Sequence, residues 1–239
     1  MKKTILLCTT ALLAGSLFAA DSPKDDVKAA AKKLGDNYSW KGSVENAGGG
    51  GNRGFGGGPT DGKTAGGTTW LSMARRDTKT EAVLTTGKGA IKTEDGWQSL
   101  ADAAKDDGGG GFNPTRFLAM RLQNYKTPSA EAADLADKAK ELKKDGDAIS
   151  GDLTEDGAKG LLSFRPPGGG GDGPQVSGAK GSVKFWVKDG ALTKYQFNVQ
   201  GTVSFGGNDR EVNRTTTIEI KDVGTTKVEV PDDAKKKLS

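Results

Sequence analysis

A chain of 239 residues with 35 Lys and Arg against 31 Asp and Glu carries a formal net charge of +4, a near balance that gives no electrostatic case for nucleic acid as a partner. It contains no histidine and one cysteine, Cys8. That excludes Ser-His-Asp and cysteine-nucleophile hydrolysis, zinc held by His or Cys, and disulfide stapling.

The chain opens MKKTILLCTTALLAGSLFAAD: two lysines, an apolar run from Thr4 to about Phe18, then Ala19 and Ala20 before Asp21. This pattern reads as a secretory signal peptide over residues 1–20, too short and wrongly flanked for a membrane span, with cleavage after Ala19 or Ala20. Cys8 does not fit a lipid attachment site, because Leu6 and Leu7 stand where a small residue is needed and most of the apolar run follows it. Export to the periplasm or another extracytoplasmic space follows, as a protein that spans no membrane once the signal is removed. Loss of Lys2 and Lys3 with the signal brings the two charges still closer to balance.

Residues 21–239 then read as a single domain with glycine-rich loop insertions at 47–67, 106–111 and 165–174. Glycine runs cost the most backbone entropy to order, and none of these has the strand-loop-helix setting of a phosphate cradle. SPKDDVKAAAKKLGD predicts a short helix capped by Ser22, opened by Pro23 and closed by Gly35, with Val27, Ala30, Ala31 and Leu34 on one face. DNYSWKGSVE alternates as a half-buried strand, and further strands are expected near 68–75, 80–86 and 88–94, with TEDGW as a turn that ends in Trp97. NPTRFLAMRLQNY predicts a helix capped by Asn113, with Phe117, Leu118, Arg121, Leu122 and Tyr125 in one stripe. A second helix is expected over 128–147, with acids early, lysines late, and Leu135, Ala139 and Leu142 on its apolar face. Asp134, Asp137 and Glu141 share one side of it, where a solvated helix face is a commoner reading than a carboxylate site. LTEDGAKGLLSF predicts one more capped helix anchored by Leu161, Leu162 and Phe164.

From residue 179 the sequence alternates strictly. A three-residue Asp189-Gly190-Ala191 loop sets Phe185 against Tyr195 and Val183 against Phe197, whereas a two-residue turn mixes the faces. The same reasoning pairs Phe197 with Ile218, Tyr195 with Ile220 and Val203 with Val212, then folds the chain back at DVGTT to set Ile220 against Val228 and Ile218 against Val230. One face is then apolar and the other is lysine, glutamine, threonine and glutamate. Trp186, between Lys184 and Lys188, falls on the wet face, to be covered by a loop or the leading helix. A sheet with one dry face must cover it. The expected fold class is therefore α+β: a strongly curved antiparallel sheet of about eight strands, a half-open β-barrel with helices plugging its concave face.

KDDVKAAAKKLGDNYSW, TEDGW, NPTRFLAMRL, GDLTEDGAKGLL and KFWVKDGALTKYQFNVQG, in this order along residues 22–235, resemble the LolA/LppX-like superfamily of exported lipid and lipoprotein carriers. The resemblance implies a non-catalytic binding protein that holds a lipid or lipoprotein acyl chain in the concavity of its sheet, with no cofactor and no metal. The glycine-rich insertions depart from that pattern. An arginine that gates the carriers' cavity corresponds to Arg53, Arg75 or Arg76. Candidate lining residues are Trp40, Trp70, Trp97, Phe117, Leu118, Phe185 and Phe197, each of which also reads as ordinary core. The competing reading is a structural or interaction module of the cell envelope with a filled core and a protein partner. A hydrolase built on paired carboxylates is a third; Glu94 and Asp95 beside Trp97 come nearest to one, and a turn accounts for them.

Overall fold

The structure, a computed structural model, describes residues 22–47, 59–75, 78–105, 113–163 and 173–238. The signal segment, residues 48–58, 106–111 and 165–172 of the glycine tracts, Arg53, Arg76, Phe164 and the side chain of Arg75 lie outside the described residues. In chain order the elements are α1 (Pro23–Lys33), β1 (Tyr38–Asn46), β2 (Thr60–Ala65), β3 (Thr68–Arg75), β4 (Thr78–Thr85), β5 (Lys88–Thr93), β6 (Gly96–Ser99), α2 (Leu100–Ala103), α3 (Pro114–Gln123), α4 (Pro128–Lys138), β7 (Lys143–Asp145), β8 (Ala148–Asp152), α5 (Glu155–Leu162), β9 (Gln175–Lys188), β10 (Ala191–Phe205), β11 (Asn208–Lys221) and α6 (Asp232–Leu238). The class is α+β. All eleven strands form one antiparallel sheet in the order β6-β5-β4-β3-β2-β1-β11-β10-β9-β8-β7, which is open because β6 and β7 stand at opposite edges.

Helix starts follow their caps. Ser22 accepts from the Asp25 amide, Asn113 from that of Arg116 and Thr154 from that of Gly157, with Pro23 and Pro114 in the first turn where no amide is needed. α4 is shorter than the sequence pattern indicates and ends at Lys138, not near 147. Ala139 turns extended, Ala139 bridges to Leu153, the Lys140 amide donates to the Asp152 carbonyl at 2.8 Å, and 143–152 becomes the β7–β8 hairpin. Ala139 and Leu142 still reach the core, from an extended backbone. The hairpin gains a full strand edge on β9, which outweighs the helix propensity of the lysines and alanines. The first glycine tract also holds more structure than a loop: Thr60–Ala65 is β2, seated between β1 and β3.

The β9–β10 register sets Phe185 against Tyr195 and Val183 against Phe197 as expected, but by another route. The turn has two residues, Asp189 and Gly190, both at positive φ (53° and 72°), and a bulge at Thr193 restores the pairing. That bulge puts Leu192 and Tyr195 on the same buried face. Between β10 and β11 the expected register is displaced by two residues: Tyr195 faces Ile218, Phe197 faces Thr216 and Gly201 faces Val212, around a two-residue turn at Gly206 and Gly207. A slip of two preserves the faces, so the hydrophobic pattern could not detect it.

The expected fold-back of 226–230 onto β11 does not form. β1 occupies that edge, with Trp40 opposite Ile220 and Gly42 opposite Ile218. Asn37 pins the turn beyond β11, its carbonyl accepting from the Gly224 amide and its side-chain oxygen from the Thr226 amide, each at 2.8 Å. Residues 227–231 then carry the chain to α6, against β5 and β6.

The sheet thus has two dry regions on opposite faces. The main core joins α1, α2, α3, α4 and α5 to the inward residues of the strands, from Leu71, Leu84 and Ile91 across Tyr38 and Trp40 to Phe197, Tyr195, Phe185 and Ile149. On the other face, Val83 and Ala90 meet Ala234 of α6, with Trp70, Trp97, Val230 and Leu238 around them. Elsewhere that outer face is polar: Gln196 donates to Thr217 at 2.9 Å, and Asn198 to Asn213 and Thr215 at 2.9 and 3.1 Å. Trp186 is outward there, as expected, and half-buried. Lys184 and Lys194 flank its ring at 5.6 and 4.9 Å. Trp186→Thr is expected to cost about 1 kcal/mol or less, the size of an exposed cation–π pair with modest packing. Urea denaturation checks it, and a loss of several kcal/mol would show a larger apolar load on that face.

Candidate functional site: a polar cluster under the sheet

Sheet parity divides the sequence-predicted lining residues. Trp40, Phe185 and Phe197 lie on the inner face and are 3%, 0% and 5% exposed, so they are packed core. Phe117 and Leu118 on α3 are half-buried, and Leu118 packs on the main core. Trp70 and Trp97 do not join them. They belong to the outer cluster under α6, because Leu71 takes the inward position on β3 and leaves Trp70 outward, where Lys63 lies 5.8 Å from its ring. The signal for this was present: Ala82-Val83-Leu84 and Gly89-Ala90-Ile91 are unbroken apolar or small runs, as strands covered on both faces carry.

The inner face also carries groups that the sequence reading did not assemble. Tyr38 on β1 and Tyr195 on β10 are fully buried, and Tyr125 beyond α3 is half-buried against the same core. Glu131, in the first turn of α4, accepts a 2.5 Å hydrogen bond from the Tyr195 hydroxyl, and the Tyr38 hydroxyl accepts from the Ser129 amide at 3.2 Å. Arg214 enters from β11, at the inward position opposite Val199, and its Nη2 donates to the Leu161 carbonyl in the last turn of α5 at 3.2 Å. Exposed Arg121 on α3 completes the set, close enough for its charge to act on Arg214.

Electrostatics mark the place as desolvated. Burial pushes the Glu131 carboxyl up, against the pull of the Tyr195 hydrogen bond and with the like charge of Asp134 adding to the rise. Burial, then the Glu131 charge, raises Tyr125 and Tyr195 well above the usual phenol range. Burial and then the like charge of Arg121 pull Arg214 down. Glu131, Tyr125 and Arg214 nevertheless keep part of their surface accessible. Leu161, Leu162 and Val176 on the same face are likewise only partly covered. Ionisable groups that the protein desolvates without sealing, brought together from distant parts of the chain, mark a functional-site candidate.

Asp134 and Asp137 are salt-bridged on α4, while Glu141, expected on the same helix side, lies beyond the helix end at Lys138. Asp134 is held by Lys126 at 3.1 Å and Lys138 at 2.7 Å, Asp137 by Lys28 at 2.6 Å and Glu141 by Lys143 at 3.2 Å. Among the described residues no cluster of three Asp or Glu is placed to hold a metal ion, and no helix is long and apolar enough to cross a membrane. The missed signals are visible in retrospect: Glu131 precedes Ala132 and Leu135 on the buried side of α4, and Arg214 occupies a dry-face position in line with Val212 and Ile218.

Because burial lifts the folded-state pKa of Glu131 above its unfolded value, the folded chain keeps that proton to higher pH than the unfolded one. Its ionisation therefore costs stability as pH rises from the ordinary glutamate range, about 4.3, through the raised value. Glu131→Gln is expected to gain stability over the natural chain at pH 7 and to gain less at about pH 4. Urea midpoints of both proteins at the two pH values test this; an equal difference at each would refute it.

The sequence matches no protein-family profile, and no curated protein matches it. Among solved structures, it is similar to the bifunctional dehydratase-cyclase domain in ambruticin biosynthesis at 12% identity, covering 84% of this chain and 82% of that one, with a TM-score of 0.19. A similarity at that score carries no argument about fold or function.

Proposed function

We propose that the protein is an exported, non-catalytic binding protein that holds an apolar ligand, a lipid or the acyl chain of a lipoprotein, between the inner face of its sheet and helices α3, α4 and α5. The observation that carries this reading is that Leu118, Tyr125, Leu161, Leu162 and Val176 stay partly accessible on the main core, while desolvated Arg214 donates to the Leu161 carbonyl. Apolar side chains left partly accessible beside desolvated polar groups are the lining that a ligand with an apolar body and a polar end requires. The carrier resemblance in the order of elements supports the same reading, in which the sheet curves around the ligand and the helices plug its concave side. Because Trp40, Phe185 and Phe197 are packed core, this reading seats the ligand nearer α3, α5 and the β10–β11 strands. A binding role also fits these two acids: Glu131 is engaged by Tyr195 and its neighbour Asp134 is tied to two lysines, so both are already partnered.

Native purification, solvent extraction and mass spectrometry should recover a co-purifying lipid, and a fluorescent fatty acid should bind the emptied protein. A clean extract with no probe binding would remove the carrier reading and favour an envelope module, whose core is already filled at Trp40, Phe185 and Phe197.

A further inference from the structure

Arg214 holds an unspent donor. A guanidinium has five N–H groups, and here Nη2 is used on the Leu161 carbonyl while Nε, fully buried, has no hydrogen-bond partner among the described residues. Leaving a buried charged donor unmet costs more than an ordinary hydrogen bond returns. The residues around it do not resolve the deficit. Arg121 adds like charge, and the Glu131 carboxylate, which does attract Arg214, is already hydrogen-bonded by the Tyr195 hydroxyl. A desolvated cation with an unmet donor, beside partly covered Leu161 and Leu162, suits the anionic head and apolar chain of an amphiphile.

We propose that Arg214 seats the acidic head of the ligand, so that the protein selects apolar chains ending in a group of single negative charge. This rests on the binding-protein reading above and adds to it the class of head group. The guanidinium edge fits carboxylate or phosphate oxygens better than it fits a neutral alcohol or ester, because the bond is charge-assisted at both ends. Glu131 limits the charge: a doubly ionised head would set a second negative unit facing its carboxylate. A fatty acid carboxylate and a phospholipid phosphodiester share the required chemistry.

Direct binding of radiolabelled oleate, oleyl alcohol and dioleoylphosphatidylglycerol to the delipidated protein tests it. Oleate and oleyl alcohol share one tail, so their difference reports the head alone. Oleate is expected to bind at least tenfold tighter than the alcohol, and Arg214→Met to weaken oleate by about 10- to 100-fold, the loss typical of one charge-assisted hydrogen bond, while leaving the alcohol within about twofold. Equal binding of oleate and alcohol, or an Arg214→Met protein that keeps its oleate affinity, overturns the anion seat while the binding reading stands. Failure of all three probes to bind removes the binding reading, and the seat with it. If circular dichroism shows Arg214→Met unfolded, the comparison within the natural chain decides alone. Phosphatidylglycerol bound as tightly as oleate assigns the head to a phospholipid, and oleate bound alone assigns it to a free fatty acid; both support the seat.

Discussion

Phe185→Ala is expected to lower the unfolding free energy by about 4 kcal/mol, in the range for removing a buried aromatic ring from a core that cannot collapse. Phe185 is completely buried toward the C-terminal end of β9, with Ile149 of β8 paired on one side and Tyr195 of β10 on the other. Its ring lies 6.4 Å from that of Tyr195 at an interplanar angle of 31°. Both neighbours are held by strand hydrogen bonds, so little can move in to fill the void, and transfer and cavity terms add. The midpoint of a urea titration measures the loss. A change below about 1 kcal/mol would mean that the sheet centre is loosely packed, and would return Phe185 to the lining of the ligand seat. Trp186, the next residue and a larger one, is expected to matter far less, because strand alternation turns it to the outer face.

The second large effect comes from the smallest side chain. Gly62 lies on β2 opposite Trp40, and a Cβ built there would stand 2.0 Å from Trp40 Cζ2 and 2.1 Å from Cε2. The indole cannot swing aside cheaply, being 3% exposed and tilted against Tyr38 with ring centres 5.6 Å apart. Gly62→Ala is therefore expected to cost about 3 kcal/mol, at the upper end of overpacking effects. Trp40→Leu removes the obstruction, so the Gly62→Ala, Trp40→Leu double variant should be no less stable than Trp40→Leu alone. Thermal unfolding of the three variants forms the cycle. Strict additivity of the two losses would show that Gly62 is required for some reason other than its contact with the indole.

Gly62 also shows how a composition-based reading can mislead. It sits in a tract whose glycine content argues for a loop, yet the glycine is there so that a strand can pass beneath a tryptophan ring. Entropy counts against each glycine locally, but the ladder bonds and the buried Thr64 that β2 gains are contributed by its neighbours β1 and β3. The C-terminal helix was missed for a related reason. DDAKKKL has one buried residue, Ala234, and its place is set by the outer cluster on β4 and β5.

What the sequence determined by itself was local. Caps and prolines at Ser22, Pro23, Asn113, Pro114 and Thr154 started helices where expected, since a cap needs only residues within one turn. Alternation decided which side of each C-terminal strand is dry, and hence that Phe185 and Phe197 point inward and Trp186 outward, because the period of two is a property of the chain alone. What the tertiary structure decided was partnership. β1 in place of residues 226–230 beside β11, the two-residue offset of β10 on β11, the ending of α4 at Lys138, and the meeting of Glu131, Tyr195, Arg121 and Arg214 all join residues distant in sequence. Each of these alternatives leaves the same faces dry, and only the competition for strand edges and the cost of stranded buried polar groups chooses among them.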